Sequence, residues 1–85
     1  MTYRYLINKE ADNSSFDAAV EKIKHYFPSL QQKEPIIDVD GSVDIIFEND
    51  EIEIRASNDY YSDMVYVDSN IRLEQLGYPY SREIG

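Results

Sequence analysis

At 85 residues, 42% hydrophobic and 13% aromatic, the chain has apolar material for one modest core and not for two, so residues 1–85 are expected to form a single domain. A formal net charge of −9 excludes unaided binding to nucleic acid or to an anionic membrane, because both would be repelled. Without cysteine there is no disulfide framework, zinc-thiolate centre or thiol nucleophile.

Tyr3-Arg4-Tyr5-Leu6-Ile7 predicts a strand with Tyr3, Tyr5 and Ile7 on one face and Arg4 and Leu6 on the other. Asp12-Asn13-Ser14 breaks that pattern. Ser14 and Asp17 then read as a capping box with Asp in place of Glu, and Phe16, Ala19, Val20, Ile23 and Phe27 recur at helical spacing. They predict an amphipathic helix from about Ser15 to Tyr26, stopped near Pro28. Ser29 to Glu34 is polar and reads as connecting loop.

From Pro35 the period changes to two. Ile37 and Val39 lead into an Asp40-Gly41 turn, and Val43, Ile45 and Phe47 alternate with Asp44, Ile46 and Glu48. After an Asn49-Asp50 turn, Ile52 and Ile54 alternate with Glu51, Glu53 and Arg55. Ala56 to Asp63 reads as loop, Met64 to Val67 as a further strand, and Ile71 to Leu76 as a short helix ended by Gly77. The expected class is α+β in the order β-α-β-β-β-β-α, an antiparallel sheet of four to five strands with one main helix on one face.

The inner face is expected to carry Tyr5, Ile7, Val39, Val43, Ile45, Phe47, Ile52 and Ile54 against Phe16, Val20, Ile23 and Phe27. Alternation then puts Asp38, Asp40, Asp44, Ile46, Glu48, Glu51, Glu53 and Arg55 on the outer face. Leu6 joins them, with either Val65 and Val67 or Met64 and Tyr66. The charge is concentrated there: residues 34–70 hold eleven acidic side chains and one basic one, Arg55, while residues 1–33 hold four acidic and five basic. A solvated face explains polarity but not sign. Opposed like charges on neighbouring strands cost roughly tenths of a kcal/mol per pair, which favours a use for the negative field.

Asp38-x-Asp40-Gly41-Ser42-x-Asp44 has the oxygen ligands of a calcium loop, but with Gly41 in the glycine position the first ligand falls on Ile36 and the twelfth on Phe47. A hairpin turn suffices, and no metal or cofactor is expected. His25, the single histidine, faces solvent beside Lys24 without a partner for catalysis, and Gly41, Gly77 and Gly85 form no phosphate loop. The chain is therefore expected not to be an enzyme. Tyr60-Tyr61 and Tyr78-Pro79-Tyr80 are candidate contact anchors, the first pair being the more exposed. The start of the chain lacks a secretory apolar core and no run reaches about 18 apolar residues, so a cytoplasmic location is expected.

Small size, acidity and tyrosines flanking a carboxylate-rich sheet give the segment from Asp38 to Asp68 a character that resembles the immunity proteins of bacterial toxin and contact-dependent inhibition systems. The resemblance implies a protein that neutralises a basic toxin or nuclease domain by binding it, with Asp40, Asp44, Glu48, Glu51 and Glu53 as electrostatic contacts. Tyr60, Tyr61 and Asp63 complete the expected partner-binding set. Two other readings stay open. One is a nucleic-acid mimic whose carboxylates stand in for phosphates; the other is a self-associating subunit, such as a homodimer, joined through Leu6, Ile46 and Val65.

Overall fold

The computed structural model describes residues 2–84, with side chains as far as Ser81. The elements are β1 (Thr2–Asn8), α1 (Asn13–Tyr26), β2 (Gln31–Gln32), β3 (Ile36–Ile37), β4 (Val43–Glu48), β5 (Glu53–Asp59), β6 (Met64–Ser69), a 3₁₀ turn (Glu74–Leu76) and β7 (Tyr80–Ile84). Every pairing is antiparallel, in the order β2-β4-β5-β6-β1-β7, and β3 joins the edge of β4 that β2 also uses. This is the expected α+β arrangement of one helix on an antiparallel sheet, with more strands than the sequence suggests.

The helix starts two residues earlier than its pattern indicates, and its cap is Asp12 rather than Ser14. The Asp12 carboxylate accepts from the Ser15 backbone N–H at 2.8 Å and from the Ser15 hydroxyl at 2.6 Å. The cap is also tied to the sheet. Asp12 N–H donates to Asn58 Oδ1 and Asn58 Nδ2 donates to Asn13 Oδ1, both at 3.0 Å, which satisfies the side chain of a buried asparagine. Phe16, Ala19, Val20 and Ile23 are buried, and α1 packs chiefly on β5, where Ala56 leaves room for the helix. The rest of the inner face is covered by the segment after β6. Leu73 and Leu76 are buried there, Leu73 N–H donates to the buried Tyr5 hydroxyl at 2.8 Å, and Lys22 Nζ donates to Leu76 O at 3.1 Å.

Several local expectations are corrected. Ala56 to Asp59 is strand, because β4 and β6 bind it on both sides and this outweighs the weak strand preference of Ala-Ser-Asn-Asp. The predicted helix over Ile71–Leu76 shrinks to the 3₁₀ turn, since Leu73 and Leu76 must lie flat on the sheet; Gly77 still ends it at φ 80°. Gln31–Gln32 and Tyr80–Ile84 are edge strands with no apolar alternation to announce them. Val39 is not in the core but 103% exposed, because the turn starts at Asp38, whose carboxylate accepts Val39 N–H while Gly41 N–H donates to Asp38 O. Val65 and Val67 are buried inside, which leaves Met64 and Tyr66 for the open face.

Two carboxylates link stability to acid. The Ser15 hydroxyl and amide hold Asp12 below the usual carboxylate range. At Asp59 partial burial works upward, but hydrogen bonds from Ser62, Tyr61 N–H and the Tyr66 hydroxyl prevail and hold it below that range. Both groups therefore stabilise the fold fully above the ordinary Asp value of about 3.9 and lose that contribution as pH falls through their lowered folded values. Thermal midpoints are expected to be level down to about pH 5 and to drop below about pH 4. The drop should be shallower in Asp12→Asn with Asp59→Asn; an equally steep acid limb in that variant would assign it to other carboxylates.

Candidate functional site

Antiparallel register arranges the open face in rows. One row runs Ile36, Asp44, Ser57, Tyr66, Leu6; the next runs Ile46, Arg55, Asp68, Arg4; a third runs Gln31, Glu48, Glu53. Asp59 and Met64 lie beyond the first row. The face is consequently less acidic than alternation alone suggests. Asp38, Asp40 and Glu51 sit in turns, and Asp44, Glu48, Glu53, Asp59 and Asp68 share the face with Arg4 and Arg55.

The arginine row is structured. Arg4 grips Asp68 with Nε to Oδ1 at 2.8 Å and Nη2 to Oδ2 at 2.9 Å, and its guanidinium lies 3.9 Å from the Tyr66 ring centroid. The hydrogen bonds to Asp68 raise the Arg4 pKa, against the opposing effect of burial. A shallow groove of about 330 Å³ runs beside this pair, lined by Thr2, Arg4, Glu53, Arg55, Asp68, Ser69 and Asn70. Glu48 and Glu53 are directly opposed, and Lys33 Nζ approaches Glu48 at 3.4 Å to offset the repulsion.

Burial raises the Tyr66 phenol above its ordinary value, with the Ser57 hydroxyl and Arg4 pulling the other way. Ser57 is 1% exposed and its Oγ meets no hydrogen-bond geometry, although it lies near the Tyr66 hydroxyl. An orphaned buried hydroxyl of this kind costs about 1–3 kcal/mol.

All the predicted contact residues except Asp44 fall at two ends of the sheet, a strand length of about 17–20 Å apart. At one end the turn before β4 and the turn after β5 are joined. Tyr60 N–H donates to Ser42 Oγ at 2.9 Å, the Tyr60 ring lies over Gly41, and its hydroxyl donates to Asn13 Oδ1 at 3.3 Å. Gly41 has φ 90°, and an added Cβ would stand 3.8 Å from that ring. Asp63, at φ 55°, accepts from Ala11 N–H at 3.0 Å. This end unites Asp40, Tyr60, Tyr61 and Asp63. It also exposes Tyr61 at 93%, Ile37 at 70% and the Val39 side chain beside Asp38.

Glu48, Glu51 and Glu53 stand at the other end, around a turn in which Asn49 Oδ1 accepts from Glu51 and Ile52 N–H and Asn70 bridges to Glu51 and Glu53. Asp44 lies on the open face and joins neither group. Tyr78 packs partly buried under Lys22, and Tyr80 sits against Tyr3 and Tyr5, so these rings close the edge of the sheet. The carboxylates of Asp38 and Asp40 accept from Val39 and Ser42 N–H, which makes them turn caps. Among the described residues no group of three or more His, Asp or Glu side chains is placed to hold a metal ion.

Alternation assigns Val39 inward and gives Ile37 no surface role, yet both stand exposed. Their edge is poorly suited to adding a further strand. Pro35 has no N–H, the step from Gln32 to Ile36 on this edge matches the shorter step from Phe47 to Asp44 on β4, and Asp38 occupies Val39 N–H. What this end presents is side chains.

Fold and surface together define a small antiparallel α+β domain with an acidic, partly apolar end. No protein-family model, curated protein or solved structure matches the chain. No helix among the described residues is long and apolar enough to cross a membrane.

Proposed function

We propose that the protein is a non-catalytic acidic binding protein of the cytoplasm that neutralises a basic toxin or nuclease domain by docking on it, in the manner of an immunity protein. The observation that supports this is the juxtaposition, on two tied turns and the end of β3, of exposed Ile37, Val39 and Tyr61 with Asp38, Asp40 and Asp63. Carboxylates around the apolar patch draw in a cationic partner, mainly by raising the on-rate, and the apolar side chains hold it once water is excluded. The Arg4 and Arg55 row interrupts the phosphate-like run that a nucleic-acid mimic needs. Self-association through Leu6, Ile46 and Val65 loses one of its three contacts, because Val65 is buried.

The test is capture from a bacterial lysate on the tagged protein, with salt washes and mass spectrometry. The expected result is a basic protein whose retention falls steeply with salt and whose toxic or nuclease activity is blocked by one equivalent of the domain. Val39→Ser with Tyr61→Ala should fold normally and weaken retention at least tenfold, about 1.4 kcal/mol. Recovery of the protein alone, in a salt-insensitive complex, would replace this reading with self-assembly.

A further inference from the structure

The first row of the open face, with Asp59 beside it, contains acceptors that the fold does not saturate. Ser57 is buried with an unpartnered Oγ, and register aims it at the open face between Asp44 on β4 and Tyr66 on β6. Asp59 follows two residues along β5 on the same face, and the Tyr66 hydroxyl reaches its Oδ2 at a loose 3.5 Å. Asp59 Oδ1 is committed to Tyr61 and Ser62 N–H, while Oδ2 holds only the long contact from Tyr66 and keeps capacity for a further donor. The ion pairs among the described residues use Asp68, Glu21, Glu48 and Glu74, and none uses Asp44.

We propose that Asp44, Ser57, Asp59 and Tyr66 form the receiving site for one lysine ammonium of the partner. The inference rests on the docking function proposed above and specifies one of its contacts. An ammonium is compact and has three donors, matching the Asp44 carboxylate, Ser57 Oγ and Asp59 Oδ2, whereas a planar guanidinium fork would meet one carboxylate at a time. The site offers two carboxylates, and among the described residues no group of three or more His, Asp or Glu side chains is placed to hold a metal ion. Because Ser57 is covered, entry requires the Asp44 side chain or the Tyr66 ring to turn aside. Arg4 cannot fill the place itself, since both Asp68 oxygens hold its guanidinium.

The experiment is a titration of the ¹⁵N-labelled full chain with acetyl-trilysine amide at low salt, with the Tyr66 phenol titrated in parallel. Saturable shifts should be largest at the amides of Asp44, Ser57, Asp59 and Tyr66. The Tyr66 pKa should fall as the cation arrives, and Asp44→Asn should weaken binding at least tenfold while keeping a native spectrum. Ser57→Ala should also weaken it and preserves the negative charge, so it separates a donor site from general attraction. Shifts centred on Asp38–Asp40 or Glu48–Glu53, with Asp44→Asn unaffected, would overturn this site and leave the docking function standing. A silent titration would overturn it too. In that case lysate capture by wild type and by Asp44→Asn decides the docking function separately.

Discussion

Phe47→Ala is expected to lose about 3–5 kcal/mol of stability, while Val39→Ala changes it by less than about 0.5 kcal/mol. The two residues look alike in an alternating pattern, yet Phe47 is 1% exposed beside Lys24, Phe27 and Leu30 at the end of α1, and Val39 stands wholly in water on a turn. Truncating Phe47 removes transfer free energy and leaves a cavity that the adjoining Phe27, Leu30 and Ile54 fill only in part. A domain of this size commands only about 5–15 kcal/mol in total, so the variant should unfold at markedly lower denaturant with its m-value unchanged. Equal midpoints for the two variants would show that Phe47 is not where the core closes.

Asn58→Leu is the second large effect. Asn58 joins the first turn of α1 to the middle of the sheet, and its replacement strands Asp12 N–H and leaves Asn13 Oδ1 with the long Tyr60 hydroxyl contact alone. The expected loss is about 1–3 kcal/mol. At roughly 4–8 °C per kcal/mol for a domain of 60–100 residues, this is a readily measured fall in thermal midpoint. The damage should be local at first, with amides of the first turn of α1 exchanging faster than those of β5 and β6. Uniform acceleration across the sheet instead would mean that Asn58 supports the whole core and not the helix junction.

The candidate surface was legible in part. Tyr60, Tyr61, Asp40 and Asp63 could be picked from the sequence because large rings and carboxylates in turn segments have few ways to be buried. That they share one end of the sheet, while Glu48, Glu51 and Glu53 occupy the other, follows from β4 and β5 being antiparallel and is invisible in the linear order. Asp44, Ser57, Asp59 and Tyr66 come together only through the pairing of three strands, and Ser57 and Asp59 lay in a stretch that reads as loop.

The sequence by itself determined the class of fold, the main helix from its 3.6-residue period, β4 from its alternation, and the sign of the field from eleven acids in residues 34–70. These properties are local or additive, so the linear chain carries them in full. The tertiary structure alone decided the cap at Asp12, the strand through Ala56–Asp59, the inward turn of Val65 and Val67, and the pairing of Arg4 with Asp68. Each depends on partners in other elements of the fold, where the hydrogen bonds and burial they supply outweigh local propensity.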